Sequence, residues 1–364
     1  VLLVAPYTPD TFWSFKHAVR FVSRKSAFPP LGLLTVAAML PRYWNLKLVD
    51  LDVSRLQDSD IRWADYVFVT GMIIHRESVE KIAERCQLAG TPVVAGGPLF
   101  TTGHEHFPKI DHFVLGEVEE IMPQVIEDLE AGRLAKMYQS TERPDVSLTP
   151  VPRWDLINKK HYASMSVQFS RGCPYNCEFC DIIVMNGRVP RTKPADRLLA
   201  ELYALHQQGW KGSVFLVDDN FIGNKKKVKE LLRAIIQWRR ETRARMSFFT
   251  EASVNLAYDQ ELLDLMGEAG FKSVFLGIET PELESLKECR KFQNTQRDMV
   301  SSVKAIQKAG MHVMGGFIVG FDSDGPDIFE RQFEFIQKAG VVTAMVGLLN
   351  ALPQTQLHTC LLYT

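Results

Sequence analysis

The sequence predicts an α/β protein with two domains, a doubly wound parallel sheet followed by an open partial (β/α)6 barrel. Two observations predict this fold class. Short, continuously apolar segments alternate with helical segments along both halves of the chain, a pattern typical of parallel sheets covered on both faces. Between the halves, residues 141–162 are rich in proline, lack periodicity and are predicted to form a linker. A chain of 364 residues is long enough for two such domains.

The first half, residues 1–140, is predicted to be a flavodoxin/Rossmann-like sheet. Its apolar segments are short and rich in Val, Leu and Phe, and residues 77–90 between two of them have helical spacing and end in Gly. The predicted strands are 1–7, 46–52, 66–71, 92–97 and 112–117. Ligands of such sheets bind at the carboxyl ends of the strands, so a binding site is expected there.

Small residues occupy three of those carboxyl ends. Glycine at such a position lets a bulky ligand approach the backbone, although it is equally compatible with a tight turn that binds nothing. The candidate ligand-binding residues at these ends are Thr70, Gly71, Met72, Gly96, Gly97, Pro98, Gly116 and Glu117.

The second half, residues 163–356, repeats a strand followed by a helix six times. The predicted strands are 166–172, 213–219, 246–253, 273–280, 313–321 and 343–349. With no antiparallel hairpin signal, this pattern predicts a partial barrel whose active residues lie at the carboxyl ends of its strands. The last residues, 357–364, are interpreted as a truncated or artefactual tail.

Polar residues lie at those predicted strand ends. Carboxylates next to buried strands need a partner, because an unpaired buried charge is costly. Capping of the following helices explains only some of them. The residues are Asp218, Asp219, Asn220, Glu251, Ser253, Glu279 and Thr280.

Three cysteines follow the first strand of this half in a C-x3-C-x2-C spacing: Cys173, Cys177 and Cys180. A structural zinc site needs a fourth ligand, for which Asp181 and Cys289 are the candidates. Electron-transfer clusters usually have four cysteine ligands. Three thiolates on a [4Fe-4S] cluster leave one iron without a protein ligand, so this iron can bind a substrate, as the open position of a catalytic zinc does.

Composition narrows the functional classes further. The net charge is −1, so bulk electrostatics give no indication of a nucleic-acid partner. The apolar run 31–40 is too short to cross a bilayer, and no transmembrane segment is predicted. Because the cysteines do not form a disulfide framework, a reducing, cytoplasmic location is expected. Arg171 and Lys193, near the cysteine loop, are interpreted as solvated charges.

The spacing C-x3-C-x-Phe-C resembles the signature of the radical S-adenosylmethionine (SAM) superfamily. The segments 217–220, 250–253, 277–280 and 315–321 resemble its SAM-contacting strand ends. The resemblance implies that the three cysteines hold a [4Fe-4S] cluster and that SAM binds to the open iron. The SAM-binding residues it implies are Phe179, Asp218, Asp219, Asn220, Glu251, Ser253, Gly277, Glu279, Gly316 and Ile318.

A flavodoxin-like domain ahead of a radical SAM barrel resembles the cobalamin-binding class of that superfamily. Segments such as 29–41 and 217–224 resemble a subgroup that includes hopanoid methylases. The D-x-H-x-x-G motif of many cobalamin domains is missing after the first strand. His17 and His75 are therefore weak candidates for the axial ligand, and we expect cobalt to have no protein histidine ligand.

The resemblance implies an enzyme with three cofactors, a [4Fe-4S] cluster, SAM and cobalamin. Its implied activity is methyl transfer to an unactivated carbon, with a lipid such as a hopanoid as one candidate substrate. A flavodoxin or ferredoxin would supply electrons. Two alternatives remain open, a cobalamin-dependent cyclase or ring-remodelling oxidoreductase, and a non-catalytic iron–sulfur module.

Overall fold

The computed structural model describes residues 1–11, 14–140 and 142–363. The chain divides into two compact units, Val1–Ser166 and Val167–Thr364. Within the described residues, no helix combines the length and the apolar character needed to span a membrane.

The first unit contains a sheet of six parallel strands in the order β2-β1-β3-β4-β5-β6. Its strands are β1 Leu2–Ala5, β2 Lys47–Asp50, β3 Val67–Thr70, β4 Val93–Gly96, β5 His112–Leu115 and β6 Met137–Gln139. The five predicted strands are confirmed. The sixth was not predicted, because β6 has three residues and only Tyr138 is buried, so it lacks an apolar run.

Helices cover both faces of this sheet. They are α1 Lys16–Phe21, α2 Leu31–Met39, α3 Asp58–Trp63, α4 Arg76–Ala89, α5 Pro98–Thr101 and α6 Met122–Glu130. Leu2 and Val4 belong to one apolar cluster, and Leu3 and Ala5 belong to the other. Because successive side chains of a strand point to opposite faces, β1 is buried on both sides, as the continuous apolar run predicted.

The segment predicted to be a linker packs on the first unit. Trp154 and Tyr162 are each 1% exposed. The Tyr162 hydroxyl donates to Asp50 Oδ2 (2.8 Å), and the Arg153 N–H donates to the Leu34 carbonyl (3.1 Å). The described part of this segment therefore belongs structurally to the first sheet domain.

The second unit is built on a six-stranded sheet in the order β14-β13-β12-β11-β10-β7, in which the neighbouring strands from β10 to β14 run parallel. Its strands are β7 Ser164–Val167, β10 Ser213–Leu216, β11 Ser247–Ala252, β12 Phe271–Glu279, β13 His312–Val319 and β14 Thr343–Leu348. Chain order and sheet order coincide, as in a partial (β/α)6 barrel.

The first barrel strand departs from the prediction 166–172. It ends at Val167 and is followed by β8 Ser170–Arg171, which pairs antiparallel with β9 Arg191–Thr192. The expectation of no antiparallel pairing is thus wrong here, because a two-residue ladder leaves no alternating pattern in the sequence. This small ladder encloses the cysteine loop.

Helices connect the strands of the second unit. They are α7 Ile182–Met185, α8 Ala195–Gln207, α9 Lys225–Thr242, α10 Gln260–Ala269, α11 Leu283–Glu288, α12 Met299–Lys308, α13 Ile328–Ala339 and α14 Gln356–Tyr363. Along β11, Phe248 and Thr250 are buried, whereas Phe249 and Glu251 keep some exposure. Arg239 of α9 lies over the Phe248 ring. The side chains on the helix-covered face of the sheet are therefore buried, whereas those on the opposite, inner face remain partly exposed.

Candidate active site

The cysteine loop begins at Gly172, directly after β8. Gly172 has φ 94°, and a Cβ there would lie 2.9 Å from the Gly187 carbonyl oxygen. Only glycine fits both the left-handed backbone and this close approach. The Gly172 N–H donates to Asp219 Oδ2 (2.9 Å), and the same oxygen accepts from Asn186 Nδ2 (3.0 Å). Asp219, at the end of β10, thus holds the start of the loop.

Hydrogen-bond donors surround the thiols of the loop. Asn220 Nδ2 lies 3.7 Å from Cys173 Sγ, and Gln293 Nε2 lies 3.7 Å from Cys177 Sγ. The backbone N–H of Ile182 lowers the pKa of Cys180, but burial outweighs it and raises that pKa to about 12. A buried thiol of this kind is inert by itself and is deprotonated when it binds a metal.

A buried cation faces the same thiols. Lys291 Nζ is 2.5 Å from Glu279 Oε1, and both side chains are about nine-tenths buried. Burial alone would lower the pKa of Lys291, but the Glu279 carboxylate raises it above its ordinary value, and negative charge on Cys177 and Cys180 acts in the same direction. Lys291 therefore remains charged and favours negative charge at the cysteine loop.

Asp218 is hydrogen-bonded to the residues just before the cysteine loop. It is fully buried and accepts from the Phe169 N–H (2.8 Å) and the Ser170 hydroxyl (2.5 Å). Burial raises the pKa of Asp218 to about 7. Both carboxylate oxygens therefore hold the chain before the cysteine loop, and the expected contact between Asp218 and SAM stays a prediction.

Asn220 and Ser253 form one hydrogen-bonded chain with the loop. Asn220 Nδ2 donates to Ser253 Oγ (3.3 Å), and Ser253 Oγ donates to Asn255 Oδ1 (2.7 Å). Asn255 Nδ2 then donates to the Tyr175 hydroxyl (2.7 Å). Tyr175 lies between the first two cysteines, so this chain couples the ends of β10 and β11 to the loop.

Glu251 is the carboxylate of this end of the sheet that has no hydrogen-bond partner among the described residues. Burial, together with the nearby carboxylates of Asp219 and Asp218, raises its pKa to about 7. A carboxyl left without a donor on the partly filled inner face remains available for a ligand's amino or hydroxyl group.

The remaining expected SAM contacts lie on neighbouring elements. A Cβ at Gly277 would lie 2.5 Å from Glu279 Oε1, and one at Gly316 would lie 2.7 Å from the Phe275 ring. Ile318 is half-buried on β13, and Phe179 lies 6.4 Å from the Phe321 ring, centroid to centroid. The SAM contacts of these residues stay a prediction.

The interpretation of one charged residue near the cysteine loop as solvated was wrong. Lys193 is 3% exposed and pairs with the equally buried Glu201, so it is not a solvated charge. The sequence analysis also missed Lys291, Gln293 and Asn294. In the sequence they lie between α11 and α12, in a segment that includes a 3₁₀ turn at Phe292–Asn294 and follows no strand directly. Only their close spacing could have indicated a site.

The first unit contains a cavity of about 360 Å³ at the carboxyl ends of its strands. This volume lies within the usual range of small-molecule sites, and the position between β1 and β3 is the topological switch point of the sheet. Thr70, Gly71, Met72 and Pro98 line the cavity, as predicted. Gly96, Gly97, Gly116 and Glu117 lie outside its lining, although Gly97 directly precedes Pro98.

A histidine lines the same cavity. The Met72 N–H donates to His75 Nδ1 (3.0 Å), and His75 Nε2 lies 3.3 Å from the Thr8 hydroxyl, which donates to Asp52 (2.8 Å). Both ring nitrogens of His75 therefore have protein partners. His17 is exposed on α1 and is absent from the described lining of the cavity.

These residues fit the groups that the sequence implied. Three cysteines in one loop, with amide donors and a buried cation nearby, suit a cluster whose thiolates each bind a different iron. Among the described residues, no three His, Cys, Asp or Glu side chains converge on the position of a single metal ion. A cubane cluster does not require such convergence. The cavity lined by Gly71 and Gly32 suits a flat ligand that packs against the backbone.

Comparison with known proteins agrees with the division into two domains. The radical SAM superfamily model matches residues 167–336, and the B12 binding domain model matches residues 18–126. An uncharacterized methyltransferase from Synechocystis sp. is 46% identical over 98% of this chain and 67% of its own length. The hopanoid C-2 methylase of Rhodopseudomonas palustris is 36% identical over 98% of this chain and 69% of its own.

A solved structure shares the fold. The radical SAM methyltransferase TsrM from Kitasatospora setae superimposes with a TM-score of 0.77 over 98% of this chain and 74% of that one, at 18% identity. With both domain models matched and relatives at this identity covered over most of their length, the chain belongs to the cobalamin-dependent radical SAM methyltransferases.

Proposed function

We propose that the protein transfers a methyl group to an unactivated carbon of a lipid. Methyltransfer by a cobalamin-dependent radical SAM enzyme is the activity of its family; the lipid, the reductant and the roles of single residues are proposed here. The main support is the cysteine loop, where three thiols, two amide donors and a buried lysine meet at the carboxyl ends of β10 to β12.

Cys173, Cys177 and Cys180 are proposed to hold the [4Fe-4S] cluster. When bound, the cluster would supply the electron that cleaves SAM, and cobalamin would carry the methyl group to be transferred. The protein contributes position and charge. Asp219 fixes the start of the loop, and Lys291 provides positive charge next to the thiols.

SAM is proposed to bind across the ends of β10 to β13. Glu251 offers a carboxyl without a protein donor among the described residues. On β12 and β13, Gly277 and Gly316 are proposed to present their backbone to SAM, although the Glu279 carboxylate and the Phe275 ring lie against the positions that side chains there would take. Asn220 and Ser253 orient each other and the loop, so a bound ligand would meet a fixed set of polar atoms.

Cobalamin is proposed to bind in the cavity of the first unit. Thr70, Gly71, Met72 and Pro98 form one wall at the ends of β3 and β4, and residues 26–32 form another. Gly97 lies against Thr70 and Gly71 of this wall. Contacts of Gly96, Gly97, Gly116 and Glu117 with the cofactor are likewise proposed. A flat macrocycle is favoured at a switch point whose backbone is exposed by glycine.

A lipid substrate is supported by two features. The partly filled inner face of the second sheet carries aromatic rings, and Phe215 and Phe249 stack with centroids 4.7 Å apart. The relative of known activity reported above acts on a hopanoid lipid, as its name states. An apolar inner wall favours an apolar substrate.

The electron donor is proposed to be a flavodoxin or ferredoxin, and the location is proposed to be the cytoplasm. The cysteines of both domains are reduced thiols, which suits a reducing compartment; they are Cys86, Cys173, Cys177, Cys180 and Cys289.

The test is an anaerobic incubation of the reconstituted protein with a membrane lipid extract, a reductant and SAM deuterated in its methyl group. We expect a lipid that gains the labelled methyl on carbon, detected by mass spectrometry, and no such product with Cys177→Ala. Label found only in water-soluble products would contradict the lipid assignment.

A further inference from the structure

We infer that the side-chain amide of Gln293 sets the reduction potential of the cluster by donating a hydrogen bond to the sulfur of Cys177. This inference rests on the proposed role of Cys177 as a cluster ligand. Gln293 would act through that ligand, as a positioning residue that touches neither SAM nor the transferred methyl group.

The burial of Gln293 requires an explanation. Its side chain is 3% exposed, and its Oε1 has no hydrogen-bond partner among the described residues. Burying an unpaired carbonyl destabilises a fold, and an apolar side chain of the same shape would avoid that cost. The interaction on the other side of the amide, from Nε2 to Cys177 Sγ at 3.7 Å, is the one that a glutamine provides and a leucine cannot.

The chain segment that carries Gln293 is held in place from two sides. Asn294 Nδ2 donates to the carbonyls of Gly277 (2.9 Å) and Ile278 (3.0 Å), which fixes the segment to the end of β12. On the other side, the Cys289 carbonyl accepts from the N–H of Glu178 (3.2 Å), inside the cysteine loop. Gln293 therefore lies in a segment anchored both to the sheet and to the loop.

The hydrogen-bonding capacity of an iron-bound thiolate determines which end of the Gln293 amide faces Cys177. A thiolate bound to iron has no S–H and can only accept hydrogen bonds, so the amide must present its N–H groups. Reduction adds negative charge to the cluster and its sulfurs. A hydrogen bond to sulfur consequently stabilises the reduced form more than the oxidised form and raises the potential.

The three cysteines differ in the origin of their donors. Backbone N–H groups of Tyr175 and Ile182 lower the pKa of Cys173 and Cys180, respectively, against the larger effect of burial. Tyr175 lies in the loop and Ile182 begins α7, and Cys173 has a further donor from outside the loop, the side-chain amide of Asn220 (3.7 Å). The donor to Cys177 comes from a side chain outside the loop, so a single substitution can remove it and leave the loop intact.

The experiment is a redox titration of the reconstituted cluster, followed by electron paramagnetic resonance, in the 364-residue chain without SAM. We expect Gln293→Leu to keep the cluster and to lower the ratio of reduced to oxidised cluster at a fixed potential by about tenfold, a shift of about 59 mV to more negative values for a one-electron couple. Gln293→Glu, which places an acceptor against the thiolate, should shift the midpoint further in the same direction.

The matched control is Gln332→Leu. Gln332 is also 3% exposed, but its Nε2 donates to the Ile318 carbonyl (2.8 Å), so the midpoint should not change. An unchanged midpoint in Gln293→Leu would overturn the inference.

A measurement on the unsubstituted protein covers the case in which Gln293→Leu loses its cluster. Labelling glutamine side chains with a heavy nitrogen isotope should reveal a nitrogen coupled to the reduced cluster, and absence of this coupling would also overturn the inference. Failure of the proposed function looks different, because Cys177→Ala would then retain a complete cluster.

Discussion

The cavity of the first unit is shaped by backbone and small side chains, whereas the cysteine loop of the second unit is surrounded by donors and buried charges. In the first, Gly71, Gly32 and Pro98 provide shape, and the nearby His75 is already bonded to protein groups. In the second, Lys291 and Glu251 provide charge.

This difference shows what each site can do before any cofactor binds. Ligand binding in a cavity that is defined by its shape should weaken when a larger side chain is introduced, but it should tolerate the loss of a single polar group. A loop defined by charge and donors is sensitive to single atoms of its side chains. Four predictions test this contrast, and they are ordered from the largest expected effect to the smallest.

The largest effect is expected at the cysteines. Replacing Cys173, Cys177 or Cys180 by Ala removes one iron ligand and should abolish both the [4Fe-4S] cluster and SAM cleavage. Iron content and the absorbance of the reconstituted protein measure this loss.

The controls are Cys86→Ala and Cys289→Ala, which should retain the cluster. Cys86 lies in the core of the first unit, and the Cys289 thiol donates to the Leu286 carbonyl. Loss of the cluster in Cys289→Ala would mean that a fourth thiolate takes part.

Cobalamin binding in the cavity of the first unit should weaken when a larger side chain is placed in its lining. Gly32 lines it, and a Cβ there would meet no atom within 4 Å, so a side chain can be added without backbone strain. Gly97 is less suitable, because it has φ 95° and its Cβ would lie 2.5 Å from Thr70 Oγ1. Gly32→Trp should weaken cobalamin binding by about tenfold or more, measured by equilibrium dialysis.

Gly32→Ala is the matched control and should bind cobalamin normally. The cluster of Gly32→Trp should also form normally, since the substitution lies in the first unit. Full cobalamin affinity in Gly32→Trp would contradict the assignment of this cavity.

The carboxyl of Glu251 should make the stability of the protein without cofactors depend on pH. Its pKa is raised from 4.5 to about 7 in the folded state, so the folded protein binds a proton more tightly than the unfolded chain. This contribution to stability is fully present below pH 4.5 and is lost as the pH rises through about 7.

Glu251→Gln removes this dependence. At pH 8 we expect the variant to be about 2 kcal/mol more stable than the natural protein, less than the full shift implies because the side chain keeps some contact with water. Near pH 4 the two should be equal in urea unfolding. A constant difference across this range would show that Glu251 does not titrate as proposed.

The smallest effect is expected at His75. Because both of its ring nitrogens have protein partners, bound cob(II)alamin should show no nitrogen splitting from a protein histidine in its electron paramagnetic resonance spectrum. His75→Phe should give the same spectrum as the natural protein. Histidine splitting that disappears in His75→Phe would identify His75 as the axial ligand.

The sequence predicted the features that local patterns encode. Long apolar runs such as 66–71 and 273–280 marked the strands, since parallel strands buried on both faces have no polar alternation. The cysteine spacing marked the loop, because its ligands are neighbours in sequence. Strands such as β6 and β8 were missed or misplaced, because two or three residues bury too little apolar surface to leave a pattern.

Contacts between distant segments could not be predicted in this way. The pairing of Lys291 with Glu279, the donation from Gln293 to Cys177 and the use of both Asp218 oxygens by residues 169–170 depend on tertiary approach. The lining of the cavity in the first unit also depends on tertiary contacts. The sequence predicted the strand-end residues Thr70, Gly71 and Met72. Gly32 and His75 belong to other segments, which line the cavity only in the folded chain.

The measurement that tests the central claim most directly is joint quantification of S-adenosylhomocysteine and 5′-deoxyadenosine from the reconstituted enzyme supplied with SAM, cobalamin, reductant and lipid extract. One SAM is expected to methylate cobalamin and another to be cleaved by the cluster, so the account predicts equal amounts of both products together with a methylated lipid. Formation of 5′-deoxyadenosine without S-adenosylhomocysteine would contradict methyl transfer and favour a cyclase or ring-remodelling activity.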